Sequence, residues 1–78
     1  MARPVYVIYP AALFDGWEVV EEGGASPAIF DTQDEAVHYA ELRATLGVGA
    51  VVKLENWFGD TERVWEVPAH AVRDSHRP

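Results

Sequence analysis

The sequence predicts an α+β fold: a two-layer sandwich in which an antiparallel sheet of about five strands, in the order βββαββ, carries one helix on one face. Three observations predict it. A Gly-Trp segment, Gly16-Trp17-Glu18-Val19-Val20, runs into a turn signal at Gly23-Gly24 and a short apolar stretch, Ala28-Ile29-Phe30. A capped, alanine-spaced helix follows from about Gln33 to Leu46, and two more strand-like runs lie beyond it. Strand runs on both sides of a single helix give hairpins that the helix can cover on one face only.

The first strand is read at Pro4-Val5-Tyr6-Val7-Ile8-Tyr9, β-branched and aromatic, with proline tolerated at its start and Pro10 at its end. Its nearly continuous apolar character predicts burial on both faces or pairing with another subunit. In the second strand, Gly16 to Glu22, Trp17 and Val19 share one face while Glu18, Val20 and Glu22 share the other. Glu22-Gly23-Gly24-Ala25 offers the positive-φ positions of a tight hairpin. Pro27 has no N–H to donate, which places the third strand at a sheet edge or at least marks a break in its ladder.

The helix start has a mechanism. Thr32 as N-cap and Glu35 three residues on form a capping box, and Asp34 puts negative charge in the positive first turn. Gly47 is expected to close the helix in the left-handed conformation. Alanines at 36, 40 and 44 stack in one row and let the helix sit close to the sheet. The apolar arc around that row is wider than the ~100° needed to cover one sheet. The helix therefore meets a second surface, or Tyr39 and Leu46 lie along its margin. The fourth strand, Ala50 to Glu55, turns Ala50, Val52 and Leu54 inward; the fifth, Arg63 to Val67, shares Trp65 and Val67 on one face. Their connection turns at Gly59-Asp60.

A chain of 78 residues makes one domain, assigned to residues 1–68, with 69–78 expected to be a flexible tail for want of a core pattern. A domain of this size buries only about 60 % of its unfolded surface, so its stability as a monomer is marginal. With no cysteines to form disulfides, self-association, and a homodimer first, is the expected reinforcement. The amino terminus lacks a signal-peptide apolar region, and nothing approaches the ~20 apolar residues of a membrane span. A cytoplasmic protein without membrane contact is the expectation.

Charge narrows the partners. The net charge is −7, yet Asp74 is the only acid after Pro68 and three of the six basic residues, Arg3, Arg73 and Arg77, lie in the terminal segments. Pro4 to Pro68 thus keeps 12 of the 13 acids and Arg43, Lys53 and Arg63, a balance of −9. Such a body repels phosphate backbones, and nucleic acid is not expected as a partner. The acidity serves solubility or faces a basic partner.

Gly16-Trp17, Phe30-Asp31-Thr32-Gln33, Glu35-Ala36, Ala40, Ala44 and Gly47 with Ala50-Val51-Val52 resemble a family of small bacterial proteins catalogued as a domain of unknown function. The resemblance covers about Gly16 to Val67. It implies the fold and carries no activity, hence no catalytic residue. This chain departs from it in its acidity, its longer Trp57-Phe58-Gly59-Asp60 connection and its added aromatic first strand.

Catalytic signatures are missing from the sequence. Gly23-Gly24 joins two strands and opens no helix, so it is no phosphate loop. Ser26 and Ser75 offer no triad nucleophile, and Glu21-Glu22 diverge to opposite faces of a strand. His38, four residues from Asp34 and three from Glu41, is read as a solvated surface histidine ahead of a proton-transfer pair. His70 and His76 lack ligand spacing, so no metal or other cofactor is expected. Arg43 is assigned first to an intramolecular or intersubunit ion pair and second to anion recognition.

The aromatics say more. Trp57 and Phe58 adjoin a turn where both are hard to bury, and the sequence leaves interface and local core equally open. The leading reading is a protein-interaction domain that self-associates through the uncovered sheet face or an edge, with Tyr6, Ile8, Trp17, Trp57 and Phe58 as apolar contacts. Its partner is itself or another protein, and an enzyme is the less favoured class. The alternative is a small-ligand binder or minor enzyme with a pocket between sheet and helix, or at a dimer seam, rimmed by His38, Tyr39 and Arg43.

Overall fold

A computed structural model describes residues 3–24 and 26–70, in the order β1 (Val5–Pro10), β2 (Trp17–Glu21), β3 (Ala28–Phe30), α1 (Gln33–Leu46), β4 (Ala50–Glu55) and β5 (Thr61–Val67). One five-stranded sheet runs β3-β2-β1-β4-β5, with α1 packed on one face. The α+β class and the βββαββ order hold. The sheet, however, is mixed where an antiparallel one was expected, because its central pair, β1 and β4, is parallel, with Tyr6 opposite Val52 and Ile8 opposite Leu54. The other three pairings are antiparallel. The reason lies in the crossover. The helix carries the chain back along the sheet, so β4 starts where β1 started and runs the same way.

The helix-facing side holds the core: Tyr6, Ile8, Val19, Ala50, Val52 and Leu54 meet the row Ala36, Ala40 and Ala44, with Trp17, Phe30, Trp65 and Val67 at the margins. The alanine row is sealed, at 0, 0 and 1 % exposure. Ile8 and Val52 are the only large side chains buried to below 2 % among the described residues, so this core is small. Around α1 the wide apolar arc resolves into a margin: Tyr39 is half-buried, while Leu42 and Leu46 stay exposed.

The capping box forms as expected, with the Glu35 N–H donating to Thr32 Oγ1 at 3.1 Å and the Thr32 N–H to Glu35 Oε1 at 3.3 Å. The helix end differs from expectation. Gly47 has φ −101°, and the left-handed residue is Gly49 at φ +85°. A Cβ on Gly49 would lie 2.9 Å from the Val67 carbonyl oxygen, so the reversal is needed where the chain slips under the end of β5 rather than at the cap. The β2–β3 connection is also looser than a tight hairpin, with only Gly23 at positive φ among its described residues. At the far end, the His70 N–H donates to the Thr45 carbonyl at 2.9 Å. The start of the expected tail is thereby tied to the helix; residues 71–78, His76 included, lie outside the described residues. Among the described residues no helix is long and apolar enough to cross a membrane.

Candidate interaction surfaces

Because β1 and β4 are parallel neighbours, the β1–β2 loop and the β4–β5 turn emerge at the same end of the sheet, where β3 also hands over to α1. At this end Asn56 builds a rigid tip. Its Oδ1 accepts from the Phe58 N–H at 2.9 Å and the Asp60 N–H at 3.1 Å, and its backbone exchanges hydrogen bonds with Gly59 and Asp60. Gly59 supplies the positive φ of +83° that the turn requires. The N–H groups of Asn56, Phe58, Gly59 and Asp60 are engaged within the turn itself, and the side chains of Trp57 and Phe58 stand outward from it. Trp57 is 69 % and Phe58 88 % exposed, which decides for exposure over a local core.

The adjoining loop displays Leu13 at 96 % exposure. Phe14 folds back over Gly16: a Cβ there would lie 2.6 Å from the Phe14 ring and 2.6 Å from the Phe30 carbonyl oxygen. The Gly-Trp pair is thus a seat for Phe14 and for close strand approach. Asp15, Asp31, Asp34, Glu35 and Asp60 belong to the three segments at this end, the β1–β2 loop, the helix start and the β4–β5 turn, and none of those segments contains Lys or Arg.

A second surface is the sheet face opposite α1. By the registers of the ladders it carries Val5, Val7 and Tyr9 of β1, Val20 of β2, Ile29 of β3, Val51 of β4 and Val64 of β5. Val7 is buried among its neighbours yet stands outside the helix-side core, while Ile29 and Val64 remain 60 % and 57 % exposed. Several polar groups on and beside this face are paired with one another. Tyr9 Oη donates to Glu18 Oε1 at 3.0 Å, Arg3 meets Glu66 at 3.3 Å, and Lys53 lies 3.8 Å from Glu22. Burial, then the Glu18 hydrogen bond and its charge, push the Tyr9 hydroxyl above the ordinary tyrosine range.

The residues expected to rim one pocket are divided between two concavities, with Tyr39 as the shared wall. Arg43 and Tyr39 border a cavity of about 120 Å³ with Tyr6, Val19, Glu21 and Ala28. His38 borders a shallow groove of about 400 Å³ with Ile29, Phe30, Asp31, Glu35 and Leu42. Arg43 donates from Nη1 to Tyr39 Oη at 2.9 Å, its guanidinium 5.7 Å from that ring. Among the described residues no carboxylate lies within 4.0 Å of it, so Arg43 makes no ion pair within them. Glu41, expected beside His38, instead accepts from Trp65 Nε1 at 2.9 Å. Among the described residues no group of three or more His, Asp or Glu is placed to hold a metal ion.

Of the contact residues read from the sequence, Trp57 and Phe58 are on the surface and close together. Tyr6 and Ile8 are buried under the helix and support the fold in place of offering a contact, while Trp17 packs half-buried at the core margin. Sequence reasoning missed Leu13, which lies in the β1–β2 loop, and Ile29 and Val64, whose signal was the alternation that sends every second strand residue to the face without a helix. No family model matches the chain, and neither a curated protein nor a solved structure is detectably similar to it.

Proposed function

We propose that the chain is a protein-interaction domain that self-associates, seating a second copy on its open sheet face and leaving the aromatic end free for another protein. One observation carries this reading: the open face presents Ile29, Val20, Val7, Val51 and Val64, with Lys53 between Val7 and Val64 and Glu18 beside Ile29, and among the described residues no layer covers it, in a domain whose own core is small. The paired state of Arg3, Lys53, Glu18, Glu22 and Glu66 supports it, since ion pairs and hydrogen bonds already made within the face lower the cost of drying it.

The size of the face sets the strength. Strands of three to seven residues, rising about 3.3 Å per residue and lying about 4.8 Å apart, give a footprint on the order of 430 Å². Stable dimers bury about 800 Å² per partner, so this contact belongs to the weak class, with a dissociation constant on the order of 10–100 µM. Charging the two exposed rim positions tests it with little risk to the fold. An Ile29→Lys/Val64→Lys variant is expected to weaken self-association at least tenfold by sedimentation equilibrium while keeping the far-UV circular dichroism of the parent. A variant that associates as the parent does overturns the reading.

A further inference from the structure

We infer that the aromatic end docks a basic amphipathic helix of another protein, with apolar side chains of that helix on Leu13, Trp57 and Phe58 and its Lys or Arg residues over the surrounding carboxylates. The inference rests on the chain being an interaction domain, but uses a surface separate from the open sheet face.

Four observations lead to it. First, Phe58 and Leu13, at 88 % and 96 % exposure, are the most exposed large apolar side chains among the described residues, and Trp57 adds an aromatic of the type enriched in binding hot spots. Second, Trp57 and Phe58 are held in place: the Asn56 hydrogen bonds fix their turn before any partner arrives, so little ordering entropy is spent there on binding. Third, charge chooses the partner. Asp15, Asp31, Asp34 and Asp60 crowd the same end, and the three segments that form it contain no Lys or Arg, so a basic segment is drawn in and acidic ones are repelled. Exposed Trp57 and Phe58 also offer ring faces to cations.

Fourth, the spacing selects a helix. In the order β2-β1-β4-β5 the two loops are separated by two strand spacings, about 10 Å. Two turns of an α-helix advance about 10.5 Å and return side chains to the same face, whereas an extended segment three residues on points the opposite way. A helix with apolar residues at i and i+7, and basic residues between, spans both loops.

The test uses a 14-residue peptide with leucine at positions 1, 4, 8 and 11 and lysine or arginine elsewhere. Two controls replace its leucines by serine or its basic residues by glutamate. Binding to the whole protein is read by Trp57 emission and by calorimetry. The basic leucine peptide is expected to bind at micromolar concentration, to weaken at least tenfold against Trp57→Ala/Phe58→Ala, and to weaken further in about 300 mM salt. It should bind the Ile29→Lys/Val64→Lys variant as it binds the parent, which separates this inference from the self-association reading. No binding, equal binding of the serine or glutamate peptide, or unchanged binding to Trp57→Ala/Phe58→Ala overturns it. A blue shift of Trp57 on phosphatidylcholine vesicles, without peptide binding, would assign this end to a lipid surface instead.

Discussion

Replacing Ala40 by leucine probes how closely the helix lies on the sheet. Ala40 is fully buried in a row with Ala36 and Ala44, facing a sheet layer that contains the fully buried Ile8 and Val52. The added side chain brings three carbons with nowhere to go. Neither the concavity of about 120 Å³ beside Tyr39 and Arg43 nor the groove beside His38 is bordered by Ala40, so neither offers it room. Overpacking of this kind costs about 1–3 kcal/mol, and three carbons at a sealed position place the variant near 3. A chain of this length has a total stability of about 4–12 kcal/mol, and each kilocalorie moves Tm by about 4–8 °C, so a fall of about 12–24 °C is expected. Thermal and urea unfolding of Ala40→Leu measure it, with Leu42→Ala on the exposed margin as the control, expected to lose under about 1 kcal/mol. If Ala40→Leu loses less than about 0.5 kcal/mol, the alanine row does not hold the helix close and the packing described for the core is wrong.

Three other outcomes follow from single contacts. Thr32→Ala removes the capping box and should cost about 1 kcal/mol by urea unfolding. Gly49→Ala forces a side chain into φ +85° against the Val67 carbonyl; a loss of about 1–3 kcal/mol is expected, and a neutral result would remove the stated reason for glycine there. Tyr9 provides a pH dependence. Its folded pKa lies above the ordinary tyrosine value of 10.0, so its contribution to stability is complete below about pH 10 and declines as pH rises through the folded value. Absorbance at 295 nm should show a tyrosine ionising late, which Tyr9→Phe abolishes.

Local signals in the sequence were read well where one short segment determines the outcome. Thr32 and Glu35 cap a helix by chemistry contained in four residues, and Ala50, Val52 and Leu54 alternate into the core as written. What failed to show was how distant segments meet. The hairpins each imply antiparallel neighbours, but which strands join the two halves depends on the path of the helix, and that path makes β1 and β4 parallel. The same junction brings the Leu13 loop beside the Trp57 turn, a neighbourhood that 44 residues of sequence separation conceal. Tyr6 and Ile8 were legible as apolar and not as inward, because a strand apolar on both faces gives no parity signal. Asn56 was overlooked because its role, accepting two backbone N–H groups, lies in the turn geometry and not in composition. Gly47 and Gly49 stand two residues apart, and the choice of which turns left-handed was made by the end of β5.

The seam between two copies can be observed directly. In an equimolar mixture of carbon-13-labelled and unlabelled protein at about 0.5 mM, above the dissociation constant worked from the footprint of the face, filtered nuclear Overhauser spectra report only contacts between copies. Cross-peaks should connect the methyl groups of Val20, Ile29, Val51 and Val64. Their absence in an associated sample, or intermolecular cross-peaks confined to Leu42, Leu46 and the helix side, would contradict the assignment of the open sheet face as the place where the second copy sits.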